Sequence, residues 1–281
     1  MIDLLKTTRH LCSVYNLEPK KKHGQNFLIS ETAYEHILKA ANLNSKDIVL
    51  EVGPGLGFLT AKLSELVKKV ISVEIDSSLA EVLETATKSL KNNNIEIVRG
   101  NILDFTETDL SKGYKVVANL PYNITSIFLR KFLSSSNSPQ SLTLMLQKEV
   151  VERILASAGS HSLLSLSVQY YSQPQLITYV PKESFWPQPE VDSAVIYIEV
   201  KNKKQLPFKE KEEKLFFRLL KFGFSAKRKK LKNNLAGALR LETEIIVKEL
   251  KTLGITDSVR AQELSLEDWL KLFARLKPYM L

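Results

Sequence analysis

The chain has 281 residues, 44% hydrophobic and 25% charged, the ordinary balance of a soluble globular protein with a core of normal size. Its longest apolar runs, such as SAVIYIEV, are strand-sized, which argues against a membrane span, and its single cysteine, Cys12, excludes an intramolecular disulfide. Forty basic against 31 acidic residues give a net charge of +9, and the stretch from Lys201 to Lys232 alone carries 13 Lys and Arg against three Glu, which suits either a polyanionic partner or a solvated face.

The opening MIDLLKTTRHLC has the spacing of a short amphipathic helix and lacks the apolar core of a signal peptide, so a reducing, cytoplasmic location is expected. The basic loop Lys20-Lys21-Lys22-His23 and the segment Gly24-Gln25-Asn26-Phe27-Leu28 follow. Ile48–Val52 is a short apolar run ending in glycines and reads as a buried strand, after which Phe58, Leu59, Leu63 and Leu66 recur at helical spacing. Val70–Glu74 is a second strand, with a helix over about 78–90 behind it. Ile95–Val98 makes a third, Lys115–Ala118 a fourth and Leu142–Leu146 a fifth. Strands separated by helical stretches predict βαβ units and a mostly parallel sheet.

After Ser160 the rhythm changes. Gln175–Val180 and Ser193–Val200 read as two strands joined through the Pro-rich turn Phe185-Trp186-Pro187-Gln188-Pro189, an antiparallel pair closing one edge of the sheet. The Lys/Asn-rich stretch 201–205 marks the domain boundary, giving an α/β domain over 1–203 and an all-helical domain over 204–281. In the latter, Leu231, Leu235 and Leu239 form one apolar stripe. On a helix there, Lys227 and Lys230 share a face and Arg228 and Lys232 an adjoining one, turned outward as phosphate contacts.

Glu51-Val52-Gly53-Pro54-Gly55-Leu56-Gly57 places glycines at alternate positions after a strand, where backbone amides can approach a ligand closely. The spacing is not that of the G-x-G-x-x-G dinucleotide fingerprint. Glu74 ends the next strand, 21 residues after Gly53, where a carboxylate can accept bonds from two ribose hydroxyls. The pair points to a nucleoside-type cofactor, and on this pair alone NAD stays open. Asn119-Leu120-Pro121-Tyr122 follows the fourth strand and suits methylation of an amino group. The lone pair of an adenine amino nitrogen is delocalised into the ring, so it attacks poorly. The Asn119 side-chain oxygen and the Pro121 carbonyl would hold its two hydrogens while Tyr122 stacks on the base. The histidines at 10, 23, 36 and 161 are scattered, and no metal site is expected.

Five stretches in order, KKHGQNFL, VLEVGPGLGFLT, NLPYNIT, ESFWPQPEVDSAVI and FSAKRKKLKNNL, resemble the small-subunit rRNA adenine dimethyltransferases over nearly the whole chain. The resemblance implies a seven-stranded Rossmann-like S-adenosylmethionine-dependent methyltransferase domain with a small helical domain. It also implies dimethylation of two adjacent adenines in the hairpin loop near the 3′ end of 16S-type rRNA; a monomer that contacts rRNA and no membrane is expected. By that resemblance Asn26, Leu28, Gly53, Glu74 and Asn119 contact S-adenosylmethionine, with Gly55 in the same loop, and Phe185 sandwiches the target base against Tyr122. Where the family usually has Asp, this sequence has Asn101, whose carbonyl oxygen is expected to take the cofactor's adenine amino group. Lys227, Arg228, Lys230 and Lys232 are expected to meet rRNA phosphates. The related enzymes that dimethylate one adenine of large-subunit rRNA are an alternative, which FSAKRKKLKNNL and NLPYNIT disfavour. A non-catalytic binding protein is another, disfavoured because Glu74, Asn119 and Tyr122 are all present.

Overall fold

The computed structural model describes residues 3–19, 25–88, 93–106 and 110–280; the basic loop Lys20–His23 lies outside them, as does the end of the helix expected over 78–90. By contacts the chain divides into two compact units, 1–151 with 172–200 and 152–171 with 201–281. The segment 152–171, grouped by sequence with the first domain, thus packs with the C-terminal helices.

In the first unit, helix α1 (Leu4–Val14) starts where the Asp3 carboxylate accepts from the Lys6 amide at 3.0 Å. Strand β1 (Phe27–Leu28) pairs antiparallel with β8 (Phe185–Trp186), and Ser30 then caps α2 (Glu31–Ala41) through the Ala33 amide. The main sheet has seven strands: β2 (Ile48–Val52), β3 (Lys69–Glu74), β4 (Ile95–Arg99), β5 (Lys115–Asn119), β6 (Ser141–Gln147), β7 (Ser172–Val180) and β9 (Ser193–Val200). Their order is β4-β3-β2-β5-β6-β9-β7. The first five are parallel neighbours, and β9 runs antiparallel between β6 and β7. Central strands β2, β5 and β6 are mostly apolar and buried on successive residues because both faces are covered. Chain order reverses at β2, with β3 on one side and β5 on the other, which opens a crevice at the carboxyl ends of those strands. Helices α3 (Phe58–Leu66), α4 (Ser77–Lys88) and α5 (Thr125–Ser134) leave from the ends of β2, β3 and β5. Helix α6 (Lys148–Ile154) follows β6.

The second unit packs α7 (Leu163–Tyr171), α8 (Glu210–Gly223), α9 (Leu231–Leu239), α10 (Thr243–Thr252) and α11 (Leu266–Leu276). Its centre is aromatic: Tyr170 stacks on Phe216 at 5.4 Å and Tyr171 on Phe217 at 5.5 Å between ring centroids. The Tyr171 hydroxyl donates to Glu213 at 2.7 Å. Trp269 lies against Gly223, where a Cβ would fall 2.3 Å from its ring, so α8 and α11 approach this closely only with glycine there.

The basic run is not helical. Helix α8 stops at Gly223 and α9 starts at Leu231, so Lys227, Arg228 and Lys230 sit in the turn between them and do not share helical faces. The side-chain amide of buried Asn234 donates to the Gly223 carbonyl at 2.7 Å and the Ala226 carbonyl at 3.1 Å. It thereby satisfies the end of α8 and fixes the turn, which continued helix would not allow. Only Lys232 is on a helix, and it forms an ion pair with Asp257, with 19% of its side chain exposed. Leu231 and Leu235 are fully buried, while Leu239 is half-buried. Among the described residues no helix is long and apolar enough to cross a membrane.

Candidate active site

A cavity of about 170 Å³ opens at the carboxyl ends of β3, β2 and β5. It is lined by Asn26, Leu28, Gly53, Gly55, Glu74 and Asn101, and by Asn119, Pro121 and Tyr122, with Pro121 and the Asn119 carbonyl beside Gly53. The turn after β2 needs its glycines. Gly55 has φ +56°, and a Cβ there would meet the Phe27 ring at 3.3 Å. Gly57 has φ +84°, and a Cβ there would lie 2.5 Å from Leu83. Side chains in this turn would therefore strain the backbone and disturb the cavity wall and the helix behind it.

Glu74 ends β3 buried, its carboxylate accepting from the Asp76 amide at 2.9 Å and the Gly55 amide at 3.3 Å. Burial pushes its carboxyl above the ordinary range, and those amide bonds pull it back. The Gln25 side chain donates to Asp76 at 3.1 Å, linking the segment before β1 to this corner. The Asn101 side-chain oxygen accepts from the Leu103 amide at 3.0 Å. One lone pair of the oxygen expected to meet the cofactor's base is thus engaged, leaving the second and the two amide hydrogens.

The Asn119 side-chain amide donates to the Asn26 carbonyl in a long contact of 3.5 Å. That contact assigns the nitrogen end and leaves the oxygen as the acceptor that an amino group needs. Pro121 begins a 3₁₀ turn, Tyr122–Ile124, and its carbonyl accepts from the Ile124 amide at 3.3 Å, one lone pair being left. The half-buried Tyr122 has its hydroxyl 2.8 Å from the Ser193 hydroxyl. Burial moves the phenol up from its ordinary value, and the Ser193 bond moves it down.

Phe185 is placed differently from the expectation. It is 3% exposed, packs in the core cluster with Leu28, Tyr34 and Val180, and does not line the cavity. Its backbone pairing with Leu28 sets the ring beneath the β1–β8 ribbon, so it supports the cavity from behind and is not a second face for a base. Sequence reasoning also missed Glu51. This residue is 1% exposed and lines the cavity; one carboxyl oxygen accepts from Thr60 at 2.6 Å and Ser72 at 2.7 Å, while the other has no partner. Burial pushes its carboxyl up to about 7. The signal was a single charge inside the apolar run Ile48–Val52.

A nucleoside cofactor with an amino-acid tail fits these donors and acceptors: a buried carboxylate for the ribose, tight glycine backbone beside it, and an orphaned buried oxygen on Glu51. Among the described residues no cluster of three His, Cys, Asp or Glu side chains could hold a metal ion.

The family model described as ribosomal RNA adenine dimethylase matches residues 16–277. The ribosomal RNA small subunit methyltransferase A of Dehalococcoides mccartyi is 39% identical, over 96% of this chain and 92% of its own length. Among solved structures, a dimethyladenosine transferase from Plasmodium falciparum superposes with a TM-score of 0.78 at 28% identity, covering 90% of this chain and 98% of that one. The 23S rRNA methyltransferase ErmE superposes at 0.71 with 24% identity, over 90% and 100%, a likeness of fold.

Proposed function

The chain belongs to the ribosomal RNA adenine dimethylase family, and from that premise we propose that it dimethylates the N6 amino groups of two adjacent adenines in the 3′-terminal hairpin loop of small-subunit rRNA. It is an S-adenosylmethionine-dependent rRNA adenine dimethyltransferase. What carries the reading is one cavity lined by Glu74 and the Gly53–Gly55 turn together with Asn119, Pro121 and Tyr122, with Gly53 lying against Pro121.

S-adenosylmethionine would supply a methyl group made electrophilic by its sulfonium, with the S–CH3 bond's electron pair staying on sulfur as the departing neutral thioether. Glu74 would accept from the ribose hydroxyls, and Gly53 and Gly55 would let the backbone approach. Asn26 and Leu28 would close the near side, with Asn101 at the base. The flipped adenine would stack on Tyr122. Its amino hydrogens would go to the Asn119 oxygen and to the remaining lone pair of the Pro121 carbonyl, so the nitrogen pyramidalises and its lone pair turns toward the methyl carbon. These acceptors work most strongly as charge develops on nitrogen, so they favour the transition state over the ground state. The methylated amine is strongly acidic and loses its proton to water. Tyr122, raised above its ordinary range and bonded to Ser193, is unsuited to act as a base.

The exposed cations Lys227, Arg228 and Lys230 are proposed as phosphate contacts that position rRNA without reading its bases. Lys232 already has Asp257 as a partner. We place the enzyme in the cytoplasm as a monomer acting on a small ribosomal subunit or its precursor. Incubating unmethylated small and large subunits with S-adenosylmethionine and mapping adenine masses tests the reading. Two neighbouring dimethyladenines near the 3′ end of small-subunit rRNA are expected. Product in the large subunit alone, or none, overturns it.

A further inference from the structure

The hydroxyl of Tyr122 meets that of Ser193 at 2.8 Å, across 71 positions of chain. Ser193 is fully buried and is the first residue of β9. Its backbone lies in register with Gln147 of β6 on one side and Val180 of β7 on the other. It is therefore one of the most firmly held points at this end of the sheet. Tyr122 stands on a short 3₁₀ turn, tied by the Ile124 amide to the Pro121 carbonyl at 3.3 Å and by the Thr125 hydroxyl to its own carbonyl at 3.2 Å. Such turns are short and their hydrogen-bond geometry is poor. The ring is thus held loosely at its base and firmly at its tip.

Stacking sets the plane of a base, and the plane of the base sets where its amino group lies relative to Asn119 and Pro121. Misplacing a reacting atom by about 1 Å costs on the order of a hundredfold in rate. We infer that Ser193 is a positioning residue of the methyl transfer: its hydroxyl, fixed in the antiparallel end of the sheet, locks the Tyr122 ring in the plane on which the target adenine stacks. The inference rests on the stacking role given to Tyr122 above. It also gives the antiparallel strands β7 and β9 a part in the chemistry, since the parallel strands alone do not determine the orientation of that ring.

The test is a double-mutant cycle with Ser193→Ala, Tyr122→Phe and the two combined, assayed on unmethylated small subunits. Each single change removes the same bond from one side, and Tyr122→Phe does so without touching β9. Each is expected to lower kcat about three- to tenfold, the worth of one neutral hydrogen bond, and the combination should be no worse than either alone. The calorimetric Kd for S-adenosylmethionine should be unchanged in all three. With 2-aminopurine at the target position, the stacking-dependent quenching should weaken in Ser193→Ala and disappear in Tyr122→Ala. Normal kcat and quenching in Ser193→Ala, or additive losses in the cycle, overturn the inference. If Tyr122→Ala itself keeps full turnover and quenching, the stacking role of Tyr122 fails as well, which distinguishes the two readings.

Discussion

Asn119 has its side-chain nitrogen engaged by the Asn26 carbonyl, and the proposed mechanism gives its oxygen to the substrate. Asn119→Ala should lower methyl incorporation into small subunits ~10²–10³-fold, roughly 3–4 kcal/mol, because it removes an acceptor that works mainly in the transition state. Its urea midpoint should stay near the native one, since the side chain sits on a cleft turn. Near-normal turnover would remove Asn119 from the mechanism. Glu51 makes a different prediction. Its folded value of about 7 lies above its ordinary 4.5, so the native state keeps a proton that the unfolded chain releases. Stability should therefore fall as pH rises from about 4.5 to 7 and level off above, by on the order of 3 kcal/mol for this group. Glu51→Gln cannot titrate and keeps an acceptor for Thr60 and Ser72. In urea unfolding, its stability relative to the native protein should rise between pH 5 and 7.5, and a constant difference would show that Glu51 is already ionised in the native state at pH 5. At this scale the sequence displayed Asn119, Pro121 and Tyr122 because they are contiguous. It hid Ser193, whose contact with Tyr122 exists only once β9 has paired.

Among the elements, the seven strands of the main sheet were legible because each contains a short stretch rich in apolar and β-branched residues. The β1–β8 pair was not: two residues a side carry no periodicity, and their pairing depends on segments far apart in the chain. That missed ribbon is also why Phe185 was misplaced. The basic segment failed as a helix because composition and spacing say nothing of Asn234, which ends α8 and ties the turn from the other side. The turn separates two kinds of basic residue, those in it and Lys232 on α9. Changing Lys227, Arg228 and Lys230 together to Gln should flatten the slope of log affinity against log salt for rRNA by about 0.7–0.9 per lost contact, with cofactor affinity unchanged. Lys232→Gln should instead lower the thermal midpoint, because it removes the partner that holds the Asp257 carboxyl below its ordinary range. An unchanged slope in the triple variant would make the turn merely solvated.

Across the whole molecule, the chain passes between its two compact units three times, after residues 151, 171 and 200. A cut at the Lys/Asn-rich stretch, the boundary that composition suggested, would strip α7 of Phe216, Phe217 and Glu213. Residues 204–281 expressed alone should unfold without a cooperative transition, and fusing 152–171 ahead of them should restore one; calorimetry of the two fragments decides it. The split had no sequence signal because the ring partners of Leu163–Tyr171 come forty or more residues later in the chain. This threading bears on descent as well as on stability. An exchange of C-terminal segments between relatives would hand α7 a foreign set of rings. Substitutions at Tyr170 and Tyr171 should therefore be inherited together with changes at Phe216 and Phe217, far along the chain.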